Sequence, residues 1–213
     1  MENLLFMRPV LNWLAQPRSF NQLLAFTLRA LAALVIPLSL VTFFKAGKVI
    51  FDLPASGILG GIFFQLLFVA AIYCVVHVLI LRARDIDALP GGDYNMFSLA
   101  RILVRTVGET FAAFIALVAV GGGIFVWFTG KGVTAILNPP PKFLPLFGDT
   151  TFMGGIEFMV GGVLSAILTL VVAYLASDGF RLLAEVSARQ PEVRQVKNES
   201  SESSFKLRSG TGN

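Results

Sequence analysis

The stretch "TTFMGGIEFMVGGVLSAILTL", residues 150–170, decides the fold class of this chain. After Glu157 the sequence continues without a formal charge from Phe158 to Ser177. The hydrocarbon core of a bilayer is about 30 Å thick and an α-helix rises about 1.5 Å per residue, so a spanning helix needs roughly 20 apolar residues. The run from Phe158 to Ser177 is therefore long enough to cross a membrane as a helix.

Three other runs have the same character. Leu53 to Leu81 and Thr110 to Gly130 contain no formal charge, and Ser19 to Phe44 is interrupted only by Arg29. Backbone N–H and C=O groups must pair within the segment when they face lipid, which favours the helix. We therefore predict an all-α integral membrane protein with four transmembrane helices, at about residues 23–44, 58–81, 109–129 and 156–177.

The composition agrees with this class. Of the 213 residues, 55% are apolar and only 14% are charged, well away from ordinary soluble proteins. The single cysteine, Cys74, excludes an intramolecular disulfide. The net charge of +4 could suggest nucleic acid, but the basic residues flank apolar segments instead of lining one face. The expected partner is thus the lipid bilayer, and no nucleic acid is expected.

The distribution of lysine and arginine predicts the orientation. Four spans place both termini on one side of the membrane. Only Lys45, Lys48, Lys131 and Lys142 fall on the opposite side, whereas the other 13 of the 17 basic residues fall on the terminal side. Because cytoplasmic segments carry the excess of positive charge, we predict cytoplasmic termini and a location in the cell (inner) membrane.

The segments outside the spans have distinct characters. Residues 1–22 carry apolar residues at helical spacing between Leu4 and Leu14 and are predicted to lie along the membrane surface, ahead of a transmembrane domain over residues 23–180. Residues 190–213 lack the apolar content to fold and are predicted to form a disordered cytoplasmic tail. The outer loop, residues 130–152, combines Pro139 to Pro141 with apolar residues and is expected to rest on the interface or to contact a partner.

Glycines and other small residues recur along the predicted helices. Gly57 with Gly61, and Ala119 with Gly123, place two small residues one turn apart. The fourth helix carries a four-residue row of small residues, Gly161, Ser165, Thr169, Ala173 and Ser177. Small residues let helix backbones approach closely in lipid, so these are predicted packing positions against another helix of the chain or a second copy. Because each step turns the row by roughly 40°, one partner helix should contact only part of it.

Charges within the membrane are the candidate functional groups, because they are costly there. They are Arg29, Glu109, Glu157 and, as the only histidine, His77. Arg29 lies deepest, and we hypothesise that it pairs with Glu109. Glu157 stands at a helix boundary at the head of the four-residue row, with Lys131 as a possible counter-charge.

Charged residues next to the spans are also spaced for pairing within one helix. Arg82 with Asp85 and Arg84 with Asp87 are three residues apart, and Arg105 with Glu109 are four apart. The same four-residue spacing recurs as Arg181 and Glu185. These pairs predict that helices continue beyond the lipid.

No arrangement of nucleophile, base and orienting group is visible, and the segments outside the membrane are too short for a catalytic domain. One Cys and one His do not make a metal site, so no catalytic residue, metal or cofactor is predicted. Two functional classes remain. The favoured one is a non-enzymatic structural or accessory subunit that packs in a larger membrane assembly through glycine-rich helix faces. The alternative is a small transporter or channel with a polar path formed by Arg29, Glu109, Glu157 and His77.

Overall fold

A computed structural model describes residues 17–89, 95–135 and 150–209. It contains four long α-helices, α1 (Pro17–Phe51), α2 (Ala55–Asp87), α3 (Asn95–Thr129) and α4 (Phe152–Ser209), with a short 3₁₀ turn at Val133–Ala135. The described part of the chain contains no strand. Most of the predicted surface segment (1–16) and most of the outer loop (136–149) lie outside the described residues.

All four helices contain a segment long and apolar enough to cross a membrane, which confirms the predicted fold class. The segments are Ser19–Phe51, Ala55–Asp87, Met96–Thr129 and Phe152–Leu183. Each helix is longer than the span predicted from charge alone, because a helix ends where its backbone geometry changes and not where apolar composition ends. At the end of α3, for example, Gly130 takes a φ of 61°, a left-handed conformation that glycine adopts readily.

The end of α4 covers most of the segment for which the sequence predicts a disordered tail, and disorder there stays a prediction. The backbone of residues 190–209 continues α4 as a helix. The prediction of disorder comes from the missing apolar content of this tail, and apolar content decides tertiary packing. A single helix also depends on local propensity, which is favourable for the Glu, Gln, Lys and Arg residues that the tail contains.

Each helix packs extensively against its neighbours in sequence, in the order α1, α2, α3, α4. The pairs run antiparallel. Gly61 meets Ile50 near the α1–α2 turn, and the rings of Phe64 on α2 and Phe125 on α3 lie 6.3 Å apart. In α3 the most apolar stretch is 50% buried, against 17% in α1, so α3 is the central helix and α1 is largely left to lipid.

Two clusters of buried side chains lie at opposite ends of the helices. We call the end that contains the α1–α2 turn and the end of α3 the loop end, and the opposite one, which contains Arg82 and Arg105, the arginine end. The loop-end cluster includes Phe64, Phe125 and Phe158. The arginine-end cluster is aliphatic and includes the residues Leu28, Leu79, Ile86 and Leu99. Since lipid is as apolar as these side chains, close van der Waals packing holds the helices together here.

The interface between α3 and α4 is built on small residues. A β-carbon added at Gly162 would overlap Cβ of Ala119, and one added at Gly108 would overlap Cβ of Ala173. Gly123 lies against Met159 and the backbone oxygen of Gly155. At these positions the helices approach too closely for any larger residue.

The four-residue row on α4 enters this interface only in part. Ala173 and Ser177 are buried, whereas a β-carbon added at Gly161 would meet no atom within 4 Å. Ser165 and Thr169 are half-buried, and the Thr169 hydroxyl donates a hydrogen bond to the Ser165 backbone oxygen at 2.8 Å. Toward the loop end, the buried small residues of α4 are Gly162 and Ala166, which lie outside the row. An α-helix turns every 3.6 residues, so a row with a strict spacing of four drifts away from the neighbouring helix.

The predicted small residues of α2 face neighbouring helices at the loop end. A β-carbon at Gly61 would overlap the Ile50 side chain of α1. One at Gly57 would lie 2.9 Å from Cβ of Leu53 and 3.4 Å from Cγ2 of Thr129 on α3. Gly57 and Gly61 thus contact residues of the same chain.

Candidate functional site: a polar cluster joining three helices

Six polar side chains from α2, α3 and α4 meet at the arginine end. We call them the polar cluster. They are Arg82 on α2, Arg101, Arg105 and Glu109 on α3, and Tyr174 and Asp178 on α4. Successive turns of α3 supply Arg101, Arg105 and Glu109, so that one face of this central helix presents all three between its two neighbours.

Glu109 is the centre of the polar cluster. Arg82 donates two hydrogen bonds to its carboxylate, from Nε to Oε2 at 3.0 Å and from Nη2 to Oε1 at 2.5 Å. The Tyr174 hydroxyl donates a third hydrogen bond to Oε1 at 2.8 Å. The side chains of Arg82 and Glu109 are only 23% and 16% exposed. A paired, fork-like arrangement of this kind is among the strongest contacts available to a carboxylate.

The second part of the polar cluster is more open. The Arg105 guanidinium lies over the Tyr174 ring, 4.7 Å from its centroid, and its Nη2 donates to Asp178 Oδ1 at 3.2 Å. Arg101 Nη2 lies 3.8 Å from the same oxygen. Asp178 is 60% exposed, so these contacts are weaker than the one at Glu109. Tyr174 connects the two parts, because its hydroxyl donates a hydrogen bond to Glu109 and its ring stacks against the Arg105 guanidinium.

Each arginine of the polar cluster has an acidic neighbour within the described residues. Arg82 also binds Asp85 through Nη1, at 2.8 Å. Arg82, Arg101 and Arg105 therefore stand against Asp85, Glu109 and Asp178. Removing one partner of a buried ion pair leaves an uncompensated charge, which typically costs about 3–5 kcal/mol. The contacts are therefore expected to fix the positions of α2, α3 and α4 relative to one another.

The hypothesis that Arg29 pairs with Glu109 is wrong. Arg29 forms its ion pair with Asp87 at the end of α2, and Glu109 is bound by Arg82. The physical reason is the order of the helices. Arg29 lies on α1, which packs against α2, so the carboxylate within its reach is on α2 and not on α3.

The pairs predicted within single helices are present in two cases. Arg82 binds Asp85 and Arg181 binds Glu185, the latter at 3.1 Å. Arg105, however, contacts Asp178 on α4, and Glu109 binds Arg82 on α2. Where a helix is central, contacts between helices replace the local ones that spacing alone predicts.

The two remaining candidates lie apart from the polar cluster. His77 is exposed on α2 and stacks on Tyr73, with ring centroids 5.8 Å apart. Glu157 is exposed near the start of α4, and in the described part of the chain neither Lys131 nor any other cation forms a salt bridge with it. The structure thus does not gather Arg29, Glu109, Glu157 and His77 into one site.

Five members of the polar cluster are not among the functional candidates that the sequence identifies. The sequence predicts local pairs for Arg82 and Arg105, and it does not single out Arg101, Tyr174 or Asp178. A signal was present in α4, because Tyr174, Asp178 and Arg181 follow helical spacing where the apolar run ends. The spacing identifies a polar face, but the partner of that face depends on how α4 is rotated against α3.

Comparisons with known proteins add no information on the polar cluster. No family model, curated protein or solved structure matches this chain. A functional assignment therefore depends on the contacts and surfaces of the chain itself.

Proposed function

We propose that this protein is a non-enzymatic structural or accessory subunit of a larger membrane assembly. The observation that supports this most is the engagement of the Glu109 carboxylate by the helices on both sides of α3. Glu109 receives three hydrogen bonds from two helices. An acid that carried protons or ions would need to exchange these partners during each cycle, whereas an acid that joins helices keeps them.

The surfaces left for a partner lie on α1 and α4, the two helices that each pack extensively against one neighbour. On α4 the exposed face carries Gly161, Leu164 and Leu168, the last two at 60% and 64% exposure. Since most of the other predicted small residues contact residues of the same chain, Gly161 with half-buried Ser165 is the glycine-containing face that remains for a partner helix.

For this role we propose an orientation in which the arginine end faces the cytoplasm. Arg82, Arg101 and Arg105 lie at that end, and Lys48 lies at the loop end, consistent with the excess of basic residues on the cytoplasmic side. The protein would then lie in the cell membrane of the organism, with its C-terminal tail facing soluble partners in the cytoplasm.

The assembly role can be tested by purification in mild detergent followed by mass spectrometry, comparing the wild type with Gly161→Leu. The added side chain points into open space, so the fold should persist while a helix docked on this face is displaced. Leu66→Ile, at an exposed leucine on α2 and away from the proposed partner face, is the control. Discrete partners that are lost only with Gly161→Leu support the proposal, whereas a chain that purifies alone contradicts it.

The transporter alternative predicts a different result. In liposomes the purified protein would conduct ions or exchange protons, and Glu109→Gln would abolish this activity. We expect no such flux. A flux that depends on Glu109 would show that the polar cluster takes part in transport and is not only structural.

A further inference from the structure

A crevice of about 600 Å³ lies at the loop end, between the end of α1 and the first turns of α2. It combines aromatic, charged and amide side chains, unlike the α3–α4 groove, which is lined almost wholly by apolar atoms. Its lining residues are Phe43, Phe44, Gly47, Lys48, Phe51, Asp52 and Gln65. It contains none of the residues of the polar cluster.

The charged pair in this crevice is unusual. Lys48 in the last turn of α1 and Asp52 directly after its end are both exposed, four residues apart in the sequence. At that spacing opposite charges commonly pair, as Arg181 and Glu185 do in this protein. Among the described residues, however, neither Lys48 nor Asp52 forms a salt bridge. Within the part of the chain that the structure describes, the crevice is therefore lined by a cation and an anion that are not paired with each other or with another charged side chain.

Aromatic rings and one glutamine amide form the walls of the crevice. The Phe43 and Phe44 rings form an edge-to-face pair with centroids 5.8 Å apart, and Phe51 is 71% exposed. Gln65 crosses Gly47 and donates a hydrogen bond to the Phe43 backbone oxygen at 3.2 Å. A β-carbon at Gly47 would lie 3.1 Å from the Gln65 amide nitrogen, so the glycine keeps this crossing open.

Along α1 the crevice runs from the charged end of the helix toward its apolar run. Phe43 and Phe51 are eight residues apart on α1, or roughly 12 Å along the helix axis. The charges stand near the end of α1, and the Phe43 and Phe44 rings lie deeper. A ligand that fits must be amphiphilic, with a polar group at Lys48 and Asp52 and a hydrocarbon part along the rings.

We infer that this crevice binds a glycerophospholipid whose head group carries a primary ammonium beside the phosphate. The phosphate accepts from the Lys48 ammonium, and the lipid ammonium donates to the Asp52 carboxylate. On a helix, side chains four residues apart have Cβ atoms about 5–6 Å from each other. Asp52 follows the last residue of α1 directly, and a separation of this order suits two charges joined by a two-carbon linker. An anionic head group without a cation would leave Asp52 unpaired, and a quaternary ammonium cannot donate a hydrogen bond to it.

The inference can be tested on the full-length protein by native mass spectrometry. The protein is incubated in detergent with equal amounts of phosphatidylethanolamine, phosphatidylcholine and phosphatidylglycerol that share the same acyl chains. We expect the wild type to retain the ethanolamine lipid about tenfold better than the choline lipid, the value of one charge-assisted hydrogen bond. This comparison requires no variant and so does not depend on the folding of one.

Two substitutions separate the roles of the charges. Asp52→Asn should lower the preference for ethanolamine over choline lipid to about twofold or less. Lys48→Gln should weaken retention of both lipids while keeping their ratio, because both carry the phosphate. Lys45→Gln, at an exposed lysine that does not line the crevice, is the matched control and should change neither quantity.

Equal retention of all three lipids by the wild type would overturn the inference, and so would a preference that survives Asp52→Asn. Preferential retention of phosphatidylglycerol would overturn it in favour of a simple anion site at Lys48. Because none of these outcomes depends on protein partners, the lipid site and the proposed subunit role can fail independently.

Discussion

The two ends of the molecule differ in how their charged side chains are paired. At the arginine end, the cations of the polar cluster are paired across α2, α3 and α4. At the loop end, Glu157, Lys48 and Asp52 form no salt bridge among the described residues, and aromatic rings such as Trp127 and Phe152, with centroids 4.9 Å apart, make the contacts between helices. The charges of the polar cluster join neighbouring helices, whereas Lys48, Asp52 and Glu157 are exposed and unpaired among the described residues, which leaves them to contact lipid or a partner.

The largest effect is expected from Glu109→Ala. This substitution leaves the Arg82 guanidinium without its main partner in a site that is 23% exposed, and should lower the free energy of unfolding by about 3–5 kcal/mol. Titration with a denaturing detergent, followed by circular dichroism, measures the loss. The double variant Arg82→Leu with Glu109→Leu should recover most of it, since it leaves no buried charge unpaired. A double variant as unstable as Glu109→Ala would show that ion pairing does not hold this end together.

The next effect concerns the close approach of α3 and α4. Gly162→Leu introduces a side chain where even a β-carbon overlaps Ala119, and should destabilise the protein by about 3 kcal/mol or more. Gly161→Leu, one residue earlier and facing open space, is the matched control and should change the unfolding midpoint little. Equal losses for both variants in the same detergent titration would contradict the assigned rotation of α4.

A smaller effect is expected at the link between the two parts of the polar cluster. Tyr174→Phe keeps the ring under Arg105 but removes the hydrogen bond to Glu109, and should cost about 1 kcal/mol. The unfolding midpoint in detergent measures this change. Tyr73→Phe, at an exposed tyrosine on α2, is the control. If the two variants behave alike, the Tyr174 hydroxyl contributes nothing to the cluster.

The smallest effect is expected from Glu157→Gln at the loop end. Glu157 is exposed and makes no salt bridge in the described part of the chain, so the unfolding free energy should change by less than about 0.5 kcal/mol. The same substitution at Glu109 weakens the bonds to Arg82 and Tyr174. Comparing the unfolding free energies of the two variants therefore shows how the position of the glutamate affects stability. A large loss at Glu157 would remove the distinction between the two ends.

The sequence predicts the helices well and their contacts poorly. The four apolar runs locate α1 to α4, because a segment in lipid must satisfy its backbone internally. For Glu109, the sequence offers Arg105 on the same helix and Arg29 at similar depth, yet the partner is Arg82. The length of each run is a local property, whereas the partner of Glu109 depends on which helix lies beside α3 and on how it is turned.

The four-residue row shows the same division within one helix. The sequence by itself determined that α4 is a membrane-spanning helix rich in small residues. Only the tertiary structure decided that Ala173 faces α3 while Gly161 faces away. A helix repeats every 3.6 residues, so a row spaced by four winds around it, and the neighbouring helix selects which part of the row is buried.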